Sequence, residues 1–172
     1  MSAKLDALRV LLIDDNTNMR SIIAAILEGI GIKDVRHAKD GEIGLAILRE
    51  WPADIAIIDY LMSPIDGLEF TRKIRYGRGA LNNQLPIIMV TGYADRVRVL
   101  EARDAGVTEL VVKPVTANAV LTRLNQVIYK PRSFVRTDEY YGPDRRRRSD
   151  IAYIGPMRRQ SDLSPKSRVV KI

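Results

Sequence analysis

The chain predicts an α/β fold, a doubly wound five-stranded parallel sheet, followed by a C-terminal extension of different character. Three observations carry this. Short apolar runs alternate five times with amphipathic stretches across residues 6–129, the pattern of strands covered by helices on both faces. Residues 1–129 balance 16 Lys+Arg against 16 Asp+Glu. Residues 130–172 carry 12 basic and 5 acidic residues, a net +7 that equals the charge of the whole chain.

The elements follow in order. Leu8–Ile13 is a nearly continuous apolar run, as a strand buried on both faces requires. Asp14, Asp15 and Asn16 then turn the chain, and Thr17 is placed to cap a helix running to about Ile30, ended by Gly29 or Gly31. Asp34–His37 is a brief second strand, and Gly41–Glu50 a helix with Ile43, Ala46 and Ile47 on one face. Asp54–Asp59 is the third strand. Gly67–Tyr76 is a helix with Leu68, Phe70 and Ile74 facing inward. Leu85–Thr91 is the fourth strand, with Pro86 near its start where no ladder donor is needed. Ala94–Ala105 is a helix closed by Gly106, Glu109–Val112 the fifth strand, and Val115–Tyr129 the last helix.

Composition excludes several classes of function. Cys is absent, which removes disulfides and thiolate metal sites. A single His, His37, removes His-cluster metal sites. No apolar run nears the ~20 residues of a membrane span, and the first residues hold no secretory apolar core. The expectation is a cytoplasmic protein with no membrane insertion.

In doubly wound folds ligands gather beyond the C-terminal ends of the strands. Asp14, Asp15, Asp59, Thr91 and Lys113 all stand at such ends, after the first, third, fourth and fifth strands. With Leu-Leu-Ile-Asp-Asp at 11–15, Ile-Ile-Asp-Tyr-Leu-Met at 57–62, Asp66-Gly67, Thr91-Gly92 and Lys113-Pro114, residues 6–129 resemble the CheY-like receiver domain of bacterial response regulators, a flavodoxin-like fold.

That resemblance implies a set of roles. Three clustered carboxylates repel one another unless a cation joins them, and Mg²⁺ suits oxygen ligands. By the family pattern Asp15, Asp59 and the Leu61 carbonyl would ligate it, with Asp14 acting through water. Asp59 would be the phospho-acceptor, a carboxylate nucleophile served by a histidine kinase. Lys113 would neutralise the phosphoryl group as a point charge. Thr91 would donate its hydroxyl to a phosphoryl oxygen, and Lys113-Pro114 would be cis. One departure stands out. Receivers carry Tyr or Phe three residues before the Lys, where the ring turns inward on activation; here that position is Leu110. Phosphorylation would then couple weakly to the output face, and Tyr93 is a poor substitute.

The extension, residues 130–172, is punctuated by Pro131, Pro143, Pro156, Pro165, Gly142 and Gly155, which exclude a long helix. With few apolar residues it is expected to be disordered without a partner. Within it, Arg147-Arg148-Ser149-Asp150 recurs twelve positions later as Arg159-Gln160-Ser161-Asp162, with Arg146 and Arg158 before each copy. A guanidinium binds the O6/N7 edge of guanine in bidentate fashion, and an Asp carboxylate accepts from the opposite edge. Two such units fit a two-fold ligand with two guanines and two phosphates, cyclic di-GMP. The candidate ligand-binding residues are Arg145, Arg146, Arg147, Arg148, Ser149, Asp150, Arg158, Arg159, Ser161 and Asp162, with Tyr141 and Tyr153 as stacking surfaces. The run Tyr-Gly-Pro-Asp-Arg-Arg-Arg-Arg-Ser-Asp at 141–150 resembles the arginine-rich extension of the CheY-like cyclic di-GMP effectors, the Cle proteins of flagellated bacteria.

The resemblance implies a non-enzymatic signalling adaptor. Cyclic di-GMP would order the tail and control receiver docking to the flagellar motor switch protein, with recruitment to the motor or cell pole. The alternative is a phosphorylation-switched single-domain regulator with an incidental basic tail. Non-specific binding to nucleic acid or acidic membrane gives no reason for the paired Asp residues, and a plain solvated linker gives none for Phe134, Tyr140, Tyr141 and Tyr153.

Overall fold

The computed structural model describes residues 5–77, 81–146 and 170–171. Strands β1 (Arg9–Ile13), β2 (Asp34–Ala38), β3 (Ile55–Asp59), β4 (Ile87–Thr91) and β5 (Glu109–Val112) form one parallel sheet in the order β2-β1-β3-β4-β5. Helices α1 (Thr17–Gly29), α2 (Gly41–Glu50), α3 (Gly67–Tyr76), α4 (Arg96–Ala105) and α5 (Ala117–Tyr129) follow the strands in turn.

Strand alternation divides the core in two. Leu11, Ile13, Ala56, Ile58, Ile87 and Met89 meet Leu45, Leu48, Leu68, Phe70 and Ile74 on the face covered by α2, α3 and α4. Val10, Leu12, Ile55, Ile57, Ile88 and Val90 meet Ile23, Leu27, Val120 and Leu124 on the face covered by α1 and α5. Every residue of β3 and β4 is buried, so both read as unbroken apolar runs.

Helices α2 and α3 start where the sequence places them, α1, α4 and α5 one or two residues away, and the caps give the reason. Asn16, not Thr17, caps α1, accepting from Met19 N at 3.1 Å. Asp95 caps α4 by accepting from Arg98 N at 3.0 Å, and Thr116 caps α5 by accepting from Ala119 N at 3.2 Å, so neither helix includes the residues before them. With Asp40 and Asp66, these caps all lie where strand hands over to helix, at the C-terminal pole of the sheet.

The first part of the extension, through residue 143, departs from the expectation of a segment without structure. Phe134–Arg136 (β6) and Tyr141–Pro143 (β7) pair antiparallel, and Val170–Lys171 (β8) pairs with the other edge of β6. Phe134, Val135, Tyr140 and Tyr141 are buried. The hairpin sits at the N-terminal pole of the sheet. Tyr141 N donates to Tyr76 Oη at 2.9 Å, Tyr141 Oη to Asn83 Oδ1 at 3.0 Å, and Arg132 Nη1 to the Thr108 carbonyl at 3.1 Å. The aromatic residues supply the reason. Buried large apolar side chains contribute roughly 1.5–3 kcal/mol each, and three rings with one Val suffice to seat a short hairpin on an existing domain. Residues 147–169 lie outside the described residues.

Candidate functional site

The site is built by the ends of the central strands. Ile13 pairs with Ile58 across β1 and β3, so Asp14 and Asp59 emerge side by side. Asp14 is 1% exposed and Asp59 5%. Carboxylate oxygens of Asp14, Asp15 and Asp59 all lie within 4.8 Å of one another. Lys113 N donates to the Thr91 carbonyl at 2.8 Å, which extends the chain past β5 and brings Lys113 Nζ to 2.7 Å from Asp59 Oδ1. Leu61 N donates to the other oxygen of Asp59 at 3.0 Å, which brings the backbone of Leu61 to the site. Thr91 is buried. Its hydroxyl donates to the Tyr93 carbonyl at 3.0 Å and accepts from Tyr93 N at 3.2 Å. The Lys113-Pro114 and Ser63-Pro64 peptides are cis.

Burial raises the Asp14 carboxyl above the ordinary range; the Asn16 N–H opposes this, and the negative charge of Asp59 adds to it. Asp14 Oδ1 accepts from Asn16 N at 2.8 Å, while Asp14 Oδ2 is buried without a hydrogen-bond partner. One ammonium for three carboxylates leaves the cluster short of positive charge. An orphaned buried oxygen beside two further carboxylates fits a hard divalent cation. Asp14, Asp15, Asp59 and the Leu61 carbonyl are the groups that would hold Mg²⁺, and the bound ion would neutralise charge on the carboxylates and on an incoming phosphoryl group.

Leu110 lies on β5, paired with Met89 and packed against the core of the α2–α4 face.

The sequence-predicted tail residues divide into two groups. Arg145 and Arg146 are described. Arg145 stacks on Tyr140, with Cζ 3.8 Å from the ring centroid, and its Nη2 lies 3.2 Å from Asp104 Oδ1 at the end of α4. Arg146 N donates to Asp144 Oδ1 at 3.0 Å. Arg147, Arg148, Ser149, Asp150, Tyr153, Arg158, Arg159, Ser161 and Asp162 lie outside the described residues. Tyr141 corrects an expectation. It is 5% exposed, 5.8 Å from the Phe134 ring, and braces the hairpin against the domain instead of offering its face to a base.

Sequence reasoning missed Arg75. Arg75 is 2% exposed beneath the hairpin, with its guanidinium carbon 5.0 Å from the Phe134 centroid. Nε donates to the Gly106 carbonyl at 3.0 Å and Nη1 to the Asn83 carbonyl at 2.9 Å. The signal was its position four residues after Thr71 and seven after Leu68, on the inward stripe of α3. Tyr60 was missed too: its hydroxyl donates to Glu101 Oε2 on α4 at 2.7 Å.

A five-stranded parallel sheet with an acidic cluster, a threonine and a lysine at its C-terminal pole defines a CheY-like receiver. Residues 10–125 match the response regulator receiver domain, and the chain belongs to that family. It is 30% identical over 120 residues to chemotaxis protein CheY-3 of Vibrio cholerae, covering 70% of this chain and 91% of that relative. Chemotaxis protein CheY of Pseudomonas aeruginosa is 32% identical over 120 residues, covering 70% and 95%. The solved structure of Vibrio cholerae chemotaxis protein CheY4 superposes with a TM-score of 0.65 at 28% identity, covering 70% of this chain and 98% of that one. The chain is thus a response-regulator signalling module. The arginine repeat lies beyond the family's matched segment.

Proposed function

We propose that this protein is a cytoplasmic, non-enzymatic signalling adaptor in which cyclic di-GMP binds the arginine-rich tail and controls docking of the receiver to the flagellar motor switch. The twice-written Arg-x-Ser-Asp unit carries the reading, because two guanines each need a bidentate donor on one edge and a carboxylate on the other. Arg147–Asp150 and Arg159–Asp162 form the two clamps, and the extra arginines, Arg146 and Arg158 among them, meet phosphates. The chemotaxis relatives support a motility role, and Leu110 in place of an aromatic switch favours control from the tail. Ligand control requires cyclic di-GMP to bind one arrangement of tail and receiver better than the other.

Calorimetric titration tests this. Expected is saturable binding of cyclic di-GMP, lost in Arg147→Ala and Asp150→Ala and absent for the adenine analogue. No binding below ~100 μM, or equal binding by the variants, overturns it. A guanine clamp should also weaken little with salt, whereas phosphate neutralisation alone falls steeply.

The second reading is a phosphorylation-switched regulator with an incidental tail, favoured by the intact Asp59–Lys113 pair at 2.7 Å. An Asp59 carboxylate oxygen would attack the phosphorus of a phosphohistidine on a kinase; the O–P bond forms, the N–P bond breaks, and the imidazole leaves. Lys113, Thr91 and the Mg²⁺ site would stabilise the acyl phosphate. That reading predicts partner binding that survives deletion of 147–172.

A further inference from the structure

We propose that α4 couples the two poles of the domain, so that occupancy at Asp59 and capture of Arg145 by an anion promote one another. The proposal rests on the reading of the tail as an anion-binding element and names how that element is regulated.

Helix α4 is weakly anchored. It buries only Ala102 and Ala105, where α3 buries Leu68, Phe70 and Ile74. With so little apolar area removed from water, polar contacts decide where the helix sits. Three of them fall along its length. Asp95, its cap, ends the loop that begins at Thr91. Glu101 accepts from the hydroxyl of Tyr60, whose backbone N is fixed to the Val90 carbonyl at 2.8 Å directly after Asp59. Asp104, almost one turn further, meets Arg103 Nη2 at 2.9 Å and Arg145 Nη2 at 3.2 Å. The same Arg145 is stacked on Tyr140 of the hairpin.

These contacts give a path that Leu110 does not provide. A phosphoryl oxygen that recruits the Thr91 hydroxyl takes it from the Tyr93 carbonyl and shifts the loop into α4. Glu101 and Asp104 move with the helix, away from Tyr60 and Arg145. From the other pole, an anion that recruits Arg145 takes it from Asp104 and frees the end of α4. Each event loosens a contact that the other must break, so the linkage is positive and reciprocal. Ion pairs this exposed limit the coupling to about two- to fivefold.

The test uses the full chain with beryllium trifluoride and Mg²⁺, an acyl-phosphate mimic. Without nucleotide, hydrogen exchange at the Tyr141 and Asp144 amides should rise about two- to fivefold when the mimic binds. Tyr60→Phe and Asp104→Asn, both mild at their positions, should abolish that response. Unchanged hairpin exchange, or failure of the mimic to bind, overturns the proposal. In a second arm, cyclic di-GMP should bind about two- to fivefold more tightly in the presence of the mimic, with no difference in Asp104→Asn. Equal affinity in the native chain overturns the coupling while leaving the ligand reading intact. Absence of nucleotide binding in either condition sinks the ligand reading, and the exchange arm alone then decides the coupling.

Discussion

At the C-terminal pole of the sheet three carboxylates face one ammonium; at the N-terminal pole a buried guanidinium faces carbonyls and aromatic rings. Asp14, Asp15 and Asp59 are held closer together than their charges favour, and Asp14 Oδ2 has no partner. Arg75 donates from two nitrogens to the Gly106 and Asn83 carbonyls, its Nη2 is buried without a hydrogen-bond partner, Phe134 covers it, and burial pulls its pKa down to about 10. The first arrangement is incomplete without an added cation and so suits chemistry that comes and goes. The second is closed by the hairpin and suits permanent structure. The same backbone carries both because strand ends project side chains outward at one pole, while helix C-termini and the loops near them offer carbonyls at the other.

The comparison breaks most sharply at Asp59. Asp59→Asn is expected to abolish incorporation of phosphate from a small-molecule phosphodonor, read by intact mass, while leaving the hairpin's hydrogen exchange unchanged. Labelling that survives at another carboxylate would deny Asp59 its role. Arg75→Ala should act in reverse. It leaves the buried Gly106 carbonyl and the Asn83 carbonyl without their guanidinium donor and opens a cavity, so urea denaturation should report a loss of about 3 kcal/mol. Arg75→Met keeps most of the volume and removes the buried charge, and should lose only about 1–2 kcal/mol. Equal losses for the two would mean that the carbonyl bonds, not packing, are what Arg75 contributes.

A matched pair of glycines sharpens the contrast with a smaller effect. A Cβ on Gly67 would stand 2.5 Å from the Asp59 carbonyl oxygen and 3.0 Å from Met89 Cε. Backbone cannot yield as a side chain does, so Gly67→Ala should push α3 off the acceptor strand. A Cβ on Gly142 would stand 2.7 Å from Tyr140 Cζ, a ring pinned by its hydrogen bond to the Pro143 carbonyl. Each should cost about 1–3 kcal/mol. Gly67→Ala should also slow phosphorylation, and Gly142→Ala should chiefly raise hairpin exchange, with no more effect at Asp59 than the about two- to fivefold coupling through α4. Equally large effects at both poles in one variant would mean that the poles do not fold independently.

The two poles also differ in how far the sequence discloses them. Fully buried parallel strands must be apolar throughout, so β1, β3 and β4 announce themselves, and the polar residues that interrupt them mark the site at once. The Tyr60–Glu101 contact spans 41 residues and leaves no local pattern. The hairpin strands are three residues long, too short to show alternation. Their tyrosines satisfy either description: rings to stack on bases, or rings to bury. Only the presence of Tyr76, Asn83 and Arg75 at the receiving surface decides for burial of Tyr140 and Tyr141, and that surface exists only after the sheet has formed. Arg75 shows the same ambiguity, since an arginine at the end of a helix reads as solvated until a lid covers it.

The smallest predicted effect separates the charges at the closed pole. Burial raises the Tyr140 phenol above its ordinary value, with Arg145 opposing. Folding then favours the protonated phenol. That contribution is complete below about pH 10, the ordinary tyrosine value, and is lost as pH rises through the raised one. Arg75 has the opposite sign. Its pKa is lowered to about 10, so above that pH the folded chain holds fewer protons there than the unfolded one, and stability from this site rises with pH. Both windows open near pH 10, and in the native chain they offset. Arg75→Met removes one side of the balance. Between pH 9 and pH 11 it should lose on the order of 1 kcal/mol more than the native chain by urea midpoint, the remaining tyrosines and lysines cancelling in the difference. Tyr140→Phe should shift the difference the other way. Parallel pH profiles for all three proteins would show that the hairpin leaves this pole open to water and would remove the contrast between the two ends of the sheet.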